Sequence, residues 1–454
     1  METVFNEFVL TNGQQIAIEK LEWFLTSSER IFRLTGRAGR GKTYVIGRAL
    51  EKYLEIDRNS LSNSKRDDIA TPNVMGIAMA HKAKNNLQET GRIPYVNTFA
   101  AAYGHREKFL DNGERVFVPI KDKMQYADCK KPIVVFVFDE FSMFSRKMVN
   151  LILKETTMFA KLIFMGDRGQ LPPIIEAGEA DYGQDSPLFD MELPEKCSHE
   201  LTENVRQTDG NPIMEMSDLV YDQIFKNPDW SDFNMILKYL SKDNLDSNGK
   251  GYQRTNYNAF YDQYRSVSDN YLDTKVIAYR NRAIKLYNEQ LRNYIHDSPT
   301  EIFIPKEIVY MNKTFYGKEE YGGNYAFYNS SEYIIEAVND GEIDGIPVIY
   351  AFVGGNKPMP VLNGYTAQEL FKHRVAEYTT KRDWKGKYAF MDQFGDFSYG
   401  YALTAYRAQG STYKNVFIDV NDIATLEVIS IKRRLQSLYT AITRASDNVY
   451  FIGK

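Results

Sequence analysis

Cysteine is nearly missing from this chain of 454 residues: there are two, Cys129 and Cys197, far apart in the sequence. That excludes a disulfide framework and a cysteine-based zinc cluster, and both thiols are expected to be inert. Long apolar runs are missing as well. None reaches the roughly 18 residues of a membrane-spanning helix, and the opening METVFNEFVLTNGQQ has neither the basic start nor the apolar core of a signal peptide. The expectation is a soluble cytoplasmic protein with no membrane partner. Excess positive charge is absent too, since 56 Lys and Arg against 60 Asp and Glu leave a net charge of −4. This argues against coating nucleic acid through bulk electrostatics and leaves room for a groove lined locally. The clusters Lys121, Lys123, Lys130, Lys131 and Lys432, Arg433, Arg434 are either such a lining or ordinary solvated faces.

What is present is a set of short, nearly all-apolar runs: IFRLT at 31–35, VMGIAMA at 74–80, IVVFVF at 133–138, LIFMG at 162–166, VIAY at 276–279 and VFIDV at 416–420. Such runs suit parallel strands buried on both faces. Helical patterns alternate with them, as at 44–53 and 282–294, so the fold class is α/β with more than one doubly wound sheet. Four runs precede residue 170 and two follow 270, which predicts two such domains in tandem. The texture changes at 97–131, where DNG at 111–113 predicts a hairpin turn, and at 300–394, rich in Tyr, Phe and Gly, where a β-rich insertion is expected. The polar stretch 242–258 reads as a loose surface connection.

IFRLT runs directly into Gly36-Arg37-Ala38-Gly39-Arg40-Gly41-Lys42-Thr43 and then a helical pattern, the strand–loop–helix context of a P-loop. Glycines let the backbone fold tightly enough to aim successive N–H groups at phosphate oxygens. Gly36, Ala38, Gly39, Arg40, Gly41, Lys42, Thr43 and Tyr44 are therefore candidates for binding ATP, with Lys42 on the outer phosphates and Thr43 on Mg²⁺. IVVFVF ends in Asp139-Glu140, two carboxylates at a strand end, where ligands of such sheets bind. Asp139 would hold the metal and Glu140 would polarise the attacking water. These two motifs define a nucleotide hydrolase or phosphotransferase and go no further.

GDRGQLPPI at 166–174, LTENVRQ at 201–207, LTAYRAQGSTY at 403–413 and LYTAITRA at 438–445 follow in order. In that order they resemble motifs III to VI of superfamily 1 helicases, while LTNGQ at 10–14 resembles the Q motif and AMAHKAKNNL at 78–87 motif Ia. With DEFSM at 139–143, the resemblance is to the Dda-like, 5′→3′ class of DNA helicases. It implies two tandem RecA-like P-loop domains: a first over 1–190 with a β-hairpin insertion at about 97–131, and a second over 191–299 and 395–454 with a β-rich, SH3-like insertion at 300–394. It further implies that Gln14 reads adenine, that Gln170 senses the γ-phosphate, and that Arg206 and Arg444 reach from the second domain to neutralise charge on the γ-phosphoryl, as an arginine finger does. Lys42, Glu140, Gln170, Arg206 and Arg444 are then the catalytic set, with ATP and Mg²⁺ as cofactors.

The same resemblance places His81, Lys82, Thr98, Phe99, Asn281, Arg407, Gln409, Ser411 and Thr412 on nucleic acid. Hydroxyls, amides and a guanidinium suit phosphate contacts that carry no sequence information. His81 touches DNA or caps a helix start. Phe117 is either the aromatic pin that splits base pairs or a ring packed within its hairpin. Many relatives have His-Lys where this chain has Tyr406-Arg407, and Ala100 replaces a motif Ib histidine, whose role is not transferred. The implied activity is ATP-driven movement along single-stranded DNA and unwinding of tailed duplex, in phage-type replication, recombination or repair. The implied form is a monomer, in the host cytoplasm if phage-encoded, meeting single-strand-binding or recombination proteins. An RNA-directed motor stays open, because phosphate contacts do not read the 2′-hydroxyl. A small-molecule kinase would leave motifs V and VI without a use, and a non-catalytic clamp with a decayed ATP site is opposed by the intact Lys42, Thr43, Asp139, Glu140, Gln170, Arg206 and Arg444.

Overall fold

The computed structural model describes residues 10–55, 73–79, 81–103, 105–109, 115–119, 134–174, 183–203, 211–269, 271–318, 323–425 and 430–453. The chain divides into two compact units, one of 1–105 and 119–211, the other of 106–118 and 212–454.

The first unit is built on six parallel strands, β1 (Ile31–Gly36), β2 (Val74–Ala78), β3 (Val96–Thr98), β6 (Val135–Phe138), β7 (Lys161–Gly166) and β8 (Ser198–Leu201). They lie in the order β3-β2-β6-β7-β1-β8. Successive side chains of a strand point to opposite faces, so VFVF divides its residues between two cores. Val135 and Val137 join Phe32, Leu34, Val45 and Met165 on one face, and Phe136 and Phe138 join Phe141, Phe144 and Phe164 on the other. The four apolar runs expected before residue 170 are thus β1, β2, β6 and β7. The expected boundary at 190/191 falls too early, because β8 pairs with β1 and the unit runs on to Asn211. The expected insertion at 97–131 also begins too early. Phe99–Ala102 is a short helix after β3, and the hairpin strands are β4 (His105–Phe109) and β5 (Arg115–Pro119), which form a two-stranded sheet. Cys129, the DNG turn and Lys121 to Lys131 lie outside the described residues.

The second unit carries β9 (Asn244–Leu245), β10 (Gly251–Thr255), β11 (Thr274–Ala278), β19 (Ala402–Thr404), β20 (Tyr413–Asp419) and β21 (Ala445–Ile452), in the order β19-β11-β20-β21-β10-β9. All pairs are parallel except β9 with β10. This corrects the reading of 242–258 as a loose connection. Tyr252 and Thr255 are buried although their neighbours are polar, so composition concealed a core strand.

Within 300–399 lies a five-stranded antiparallel sheet of β12 (Ile308–Met311), β15 (Glu332–Ile343), β16 (Ile346–Val353), β17 (Lys357–Leu362) and β18 (Phe397–Tyr399), with a separate pair β13 (Phe315–Lys318) and β14 (Asn324–Phe327). The expected β-rich stretch therefore ends in two unanticipated helices, Gly364–Thr380 and Trp384–Met391. Eight of the 17 residues of the first are Ala, Gln, Glu, Leu, Lys or Arg, gathered in its middle, and all are good helix formers. Two buried ion pairs tie this sheet to the parallel one. Lys275 Nζ on β11 lies 3.2 Å from Glu332 of β15, and Arg292 of helix Asn281–Ile295 meets Glu307 just before β12.

Candidate active site

Three adjacent strands of the first unit end nearly flush, with Thr35 of β1 opposite Gly166 of β7 and Phe138 of β6 opposite Phe164 of β7. The P-loop, Asp139-Glu140 and Asp167–Gln170 therefore leave the sheet side by side at its C-terminal edge. In the P-loop, Gly39 and Gly41 adopt φ of +77° and +81°, the left-handed region that favours glycine. Helix Lys42–Ala49 starts immediately after them. Lys42 Nζ donates to the carbonyls of Gly36 at 2.7 Å and Arg37 at 3.0 Å. Its ammonium is thus parked on the loop it serves, in reach of any phosphate that the loop amides hold.

Asp139 is buried, and its N–H donates to Ile77 O, so it extends the pairing of β6 with β2 by one residue. Its Oδ1 accepts the N–H of Glu140 at 2.9 Å. Glu140 itself sits at φ +54°. A non-glycine residue pays about 1–3 kcal/mol for such a conformation, which persists where the surroundings impose it, often at reactive sites. Among the described residues, no group of three or more His, Cys, Asp or Glu side chains could cage a metal. A single strand-end carboxylate beside a P-loop threonine is the donor set that fits Mg²⁺, which keeps most of its waters and takes its other ligands from phosphates.

Asp167 is fully buried and its Oδ1 accepts Gly169 N–H at 2.9 Å, while its carbonyl accepts Gln170 N–H at 3.2 Å. That tight turn sets Gln170, itself buried, just beyond β7. Phe141 was not singled out from the sequence, yet it forms the wall between two motifs. A Cβ on Gly166 would lie 2.6 Å from its ring, so the residue after Glu140 and the residue before Asp167 are in direct contact.

Gln14 is buried at the first turn of helix Asn12–Thr26. Its Oε1 accepts Thr11 N–H at 3.2 Å and its Nε2 donates to Arg40 O at 3.2 Å. The expected adenine reader therefore also ties this helix to the P-loop, a role the lone glutamine gave no sign of. Glu203 was likewise missed. Its carboxylate accepts Gly13 N–H at 2.8 Å, and the Thr11 hydroxyl and Gly13 amide hold it below the usual carboxylate range. Arg206 lies outside the described residues, at 204–210.

In the second unit, Arg444 follows helix Ile431–Ile442 and is buried. Its guanidinium donates to Thr440 O at 3.2 Å, Ser411 O at 3.4 Å and Thr443 Oγ1 at 3.2 Å. Motif VI is thereby bonded to motif V. Within motif V, Gln409 and Ser411 are buried, whereas Arg407 and Thr412 are exposed. Asn281 is exposed at the start of its helix. Of the remaining expected nucleic-acid residues, Thr98 ends β3, His81 and Lys82 open a helix, and Phe117 lies on β5. Phe99 is buried instead, with its ring 4.9 Å from Tyr103 and 5.8 Å from Phe144. It packs the core because the short helix after β3 turns it inward.

Comparison with known proteins agrees with this layout. A family model described as an AAA domain matches residues 9–224, and one described as a UvrD-like helicase C-terminal domain matches 399–452. The protein R530 of Acanthamoeba polyphaga mimivirus is 23% identical over 97% of this chain and 99% of its own length. The ATP-dependent DNA helicase dda of Enterobacteria phage T4 is 22% identical over 98% and 99%. In structure, the chain is similar to the Pif1 helicase from Bacteroides in complex with ADP-AlF3 and ssDNA, at a TM-score of 0.53 and 14% identity, over 97% of this chain and 92% of that one. That likeness establishes the fold, two RecA-like parallel sheets in one chain. With an AAA domain matched over 9–224, a UvrD-like helicase C-terminal domain matched over 399–452 and relatives aligned along nearly its whole length, this chain is a superfamily 1 helicase that resembles Dda.

Proposed function

We propose that this helicase hydrolyses ATP with Mg²⁺ to move 5′→3′ along single-stranded DNA and to unwind duplex bearing a single-stranded tail. The observation that carries the reading is the meeting of Lys42, Asp139-Glu140 and Asp167–Gln170 at the flush ends of three neighbouring strands. Mg²⁺ would be held by Thr43 and Asp139, and when bound it neutralises charge on the β- and γ-phosphates. Lys42 trades the carbonyls of Gly36 and Arg37 for phosphate oxygens. Glu140 orients the attacking water and takes up its proton, while Gln170 senses the γ-phosphate. Arg206 and Arg444 are assigned to the charge that develops on the transferred group. The sheet of β12 and β15 to β18 is read as the SH3-like insertion of this class, and β4 with β5 as its hairpin.

DNA as the track is supported by relatives whose names say as much: dda is a DNA helicase and the Pif1 complex holds ssDNA. Steady-state ATP hydrolysis, with and without single-stranded DNA and with single-stranded RNA in parallel, tests the proposal. Stimulation by DNA, followed by unwinding of 5′-tailed duplexes and not 3′-tailed ones, is the expected result. Stimulation by RNA alone would reassign the track, and hydrolysis indifferent to both would remove the motor.

A further inference from the structure

Arg407 is the exposed cation of motif V, and its guanidinium is not held by motif V itself. Its backbone N–H is capped by Thr404 Oγ1 at 3.2 Å, which fixes where the side chain starts. Where it ends is set by the antiparallel sheet. Nη1 donates to Asn312 Oδ1 at 3.2 Å, and the guanidinium carbon lies 5.0 Å from the ring centre of Tyr310. Tyr310 belongs to β12 and is buried, and Asn312 stands just past the end of that strand.

Asn312 is in turn immobilised. Its backbone N–H donates to Asp396 O at 3.0 Å and its Nδ2 to Asp396 Oδ1 at 3.0 Å, while its Oδ1 also accepts the Ser398 hydroxyl at 3.5 Å. The donation to Asp396 fixes the amide orientation, so that the oxygen faces Arg407. Asn312 is neutral. It can therefore orient a guanidinium without cancelling its charge, as a carboxylate at the same place would. One of five N–H donors is used in this way, and the remaining face of an exposed guanidinium is free to pair with a phosphate.

We propose that Asn312, a residue of the inserted sheet, is a positioning residue that aims Arg407 at the phosphate backbone of the nucleic-acid track, with Tyr310 as the platform beneath it. The inserted sheet then sets how firmly motif V grips its track. This rests on the reading that motif V binds single-stranded DNA. Pre-ordering a long side chain lowers the entropy lost when it binds, and no DNA contact by Asn312 itself is required.

The test uses the full chain and a fluorescein-labelled oligothymidylate, with anisotropy titrations across a salt series for wild type, Asn312→Ala, Asn312→Ser, Arg407→Ala and the Asn312→Ala/Arg407→Ala double variant. Thermal unfolding is recorded for each. Each phosphate contact on a single strand contributes about −0.7 to the slope of log affinity against log salt. Arg407→Ala is expected to flatten the slope by about that amount. Both Asn312 variants, at wild-type melting temperature, are expected to weaken binding up to about fivefold, the span of an exposed charge interaction, and to move the slope in the same direction. The double variant should bind no more weakly than Arg407→Ala. Wild-type affinity and slope in the Asn312 variants, or losses that multiply in the double variant, would overturn the positioning role. A wild-type protein that binds no oligothymidylate would instead strike the underlying reading of motif V, and the positioning role with it.

Discussion

Lys42 is held by two carbonyls of its own loop, so the P-loop keeps its shape through backbone and lysine together. Lys42→Ala removes the charge proposed for the outer phosphates but leaves the second unit's exposed Arg407 and Thr412 unchanged. ATP turnover should fall to background while single-stranded DNA binding in the absence of nucleotide stays within about twofold of wild type. Parallel measurements of hydrolysis and anisotropy check this, and a loss of nucleotide-free binding would contradict the separation of the two sites. Gly166 offers a second test at this scale. A methyl there would lie 2.6 Å from the fully buried Phe141 ring, and overpacking of this kind costs about 1–3 kcal/mol. Gly166→Ala should lower the melting temperature and, because Phe141 follows Glu140 directly, depress hydrolysis more than the loss of folded protein explains. Full turnover per folded molecule would show that the wall between the two motifs tolerates displacement.

At the scale of elements, the inserted sheet is joined to the second parallel sheet through buried charge. Burial pushes the Glu307 carboxyl above its ordinary range, against the opposing pull of Ile304 N–H and Arg292. Arg292 also donates to the carbonyls of Pro299 and Glu301 and lies over the Tyr399 ring at 4.8 Å. Breaking a buried pair from one side leaves an uncompensated charge, at about 3–5 kcal/mol, whereas apolar replacement of both sides costs less. Glu307→Gln should therefore lower the urea midpoint strongly, and Arg292→Met/Glu307→Leu should recover part of that loss. A double variant less stable than the single one would mean that the guanidinium's carbonyl contacts, not the pair, hold the junction. The sequence displayed these elements unevenly. Strands β2, β6 and β7 announced themselves because every residue in them but Lys161 is buried, and so did the P-loop, whose chemistry demands fixed residues at fixed spacing. β10 did not, since Gln253 and Arg254 interrupt its apolar face. The junction was equally hidden, because Glu307 and Arg292 are ordinary surface residues by type and acquire meaning only when the fold buries them. Phe99 misled for the opposite reason: its motif position suggested a nucleic-acid contact, and the turn after β3 sends the ring into the core.

At the scale of the whole molecule, a net charge of −4 means that affinity for a polyanion comes from a few placed cations and N–H groups. Salt dependence should accordingly be shallow. A slope typical of about ten neutralised phosphates would contradict this, and would point to a groove in which many of the 56 Lys and Arg are gathered. Under the proposed function, with few contacts to the strand, base-pair separation falls to a local device. The hairpin of β4 and β5 is the candidate, with Phe117 on β5. A pin that wedges or stacks bases matters only where a duplex must open, whereas stimulation of hydrolysis by a single strand requires only the motor. Phe117→Ala should therefore slow unwinding of a tailed duplex by about tenfold or more, the loss of one stacking contact of about 1–3 kcal/mol, and leave hydrolysis on oligothymidylate near wild type. Phe117→Trp, which keeps a stacking face, should retain most unwinding. Equal losses in both assays would return Phe117 to packing within its hairpin and move the strand-separating role to another element.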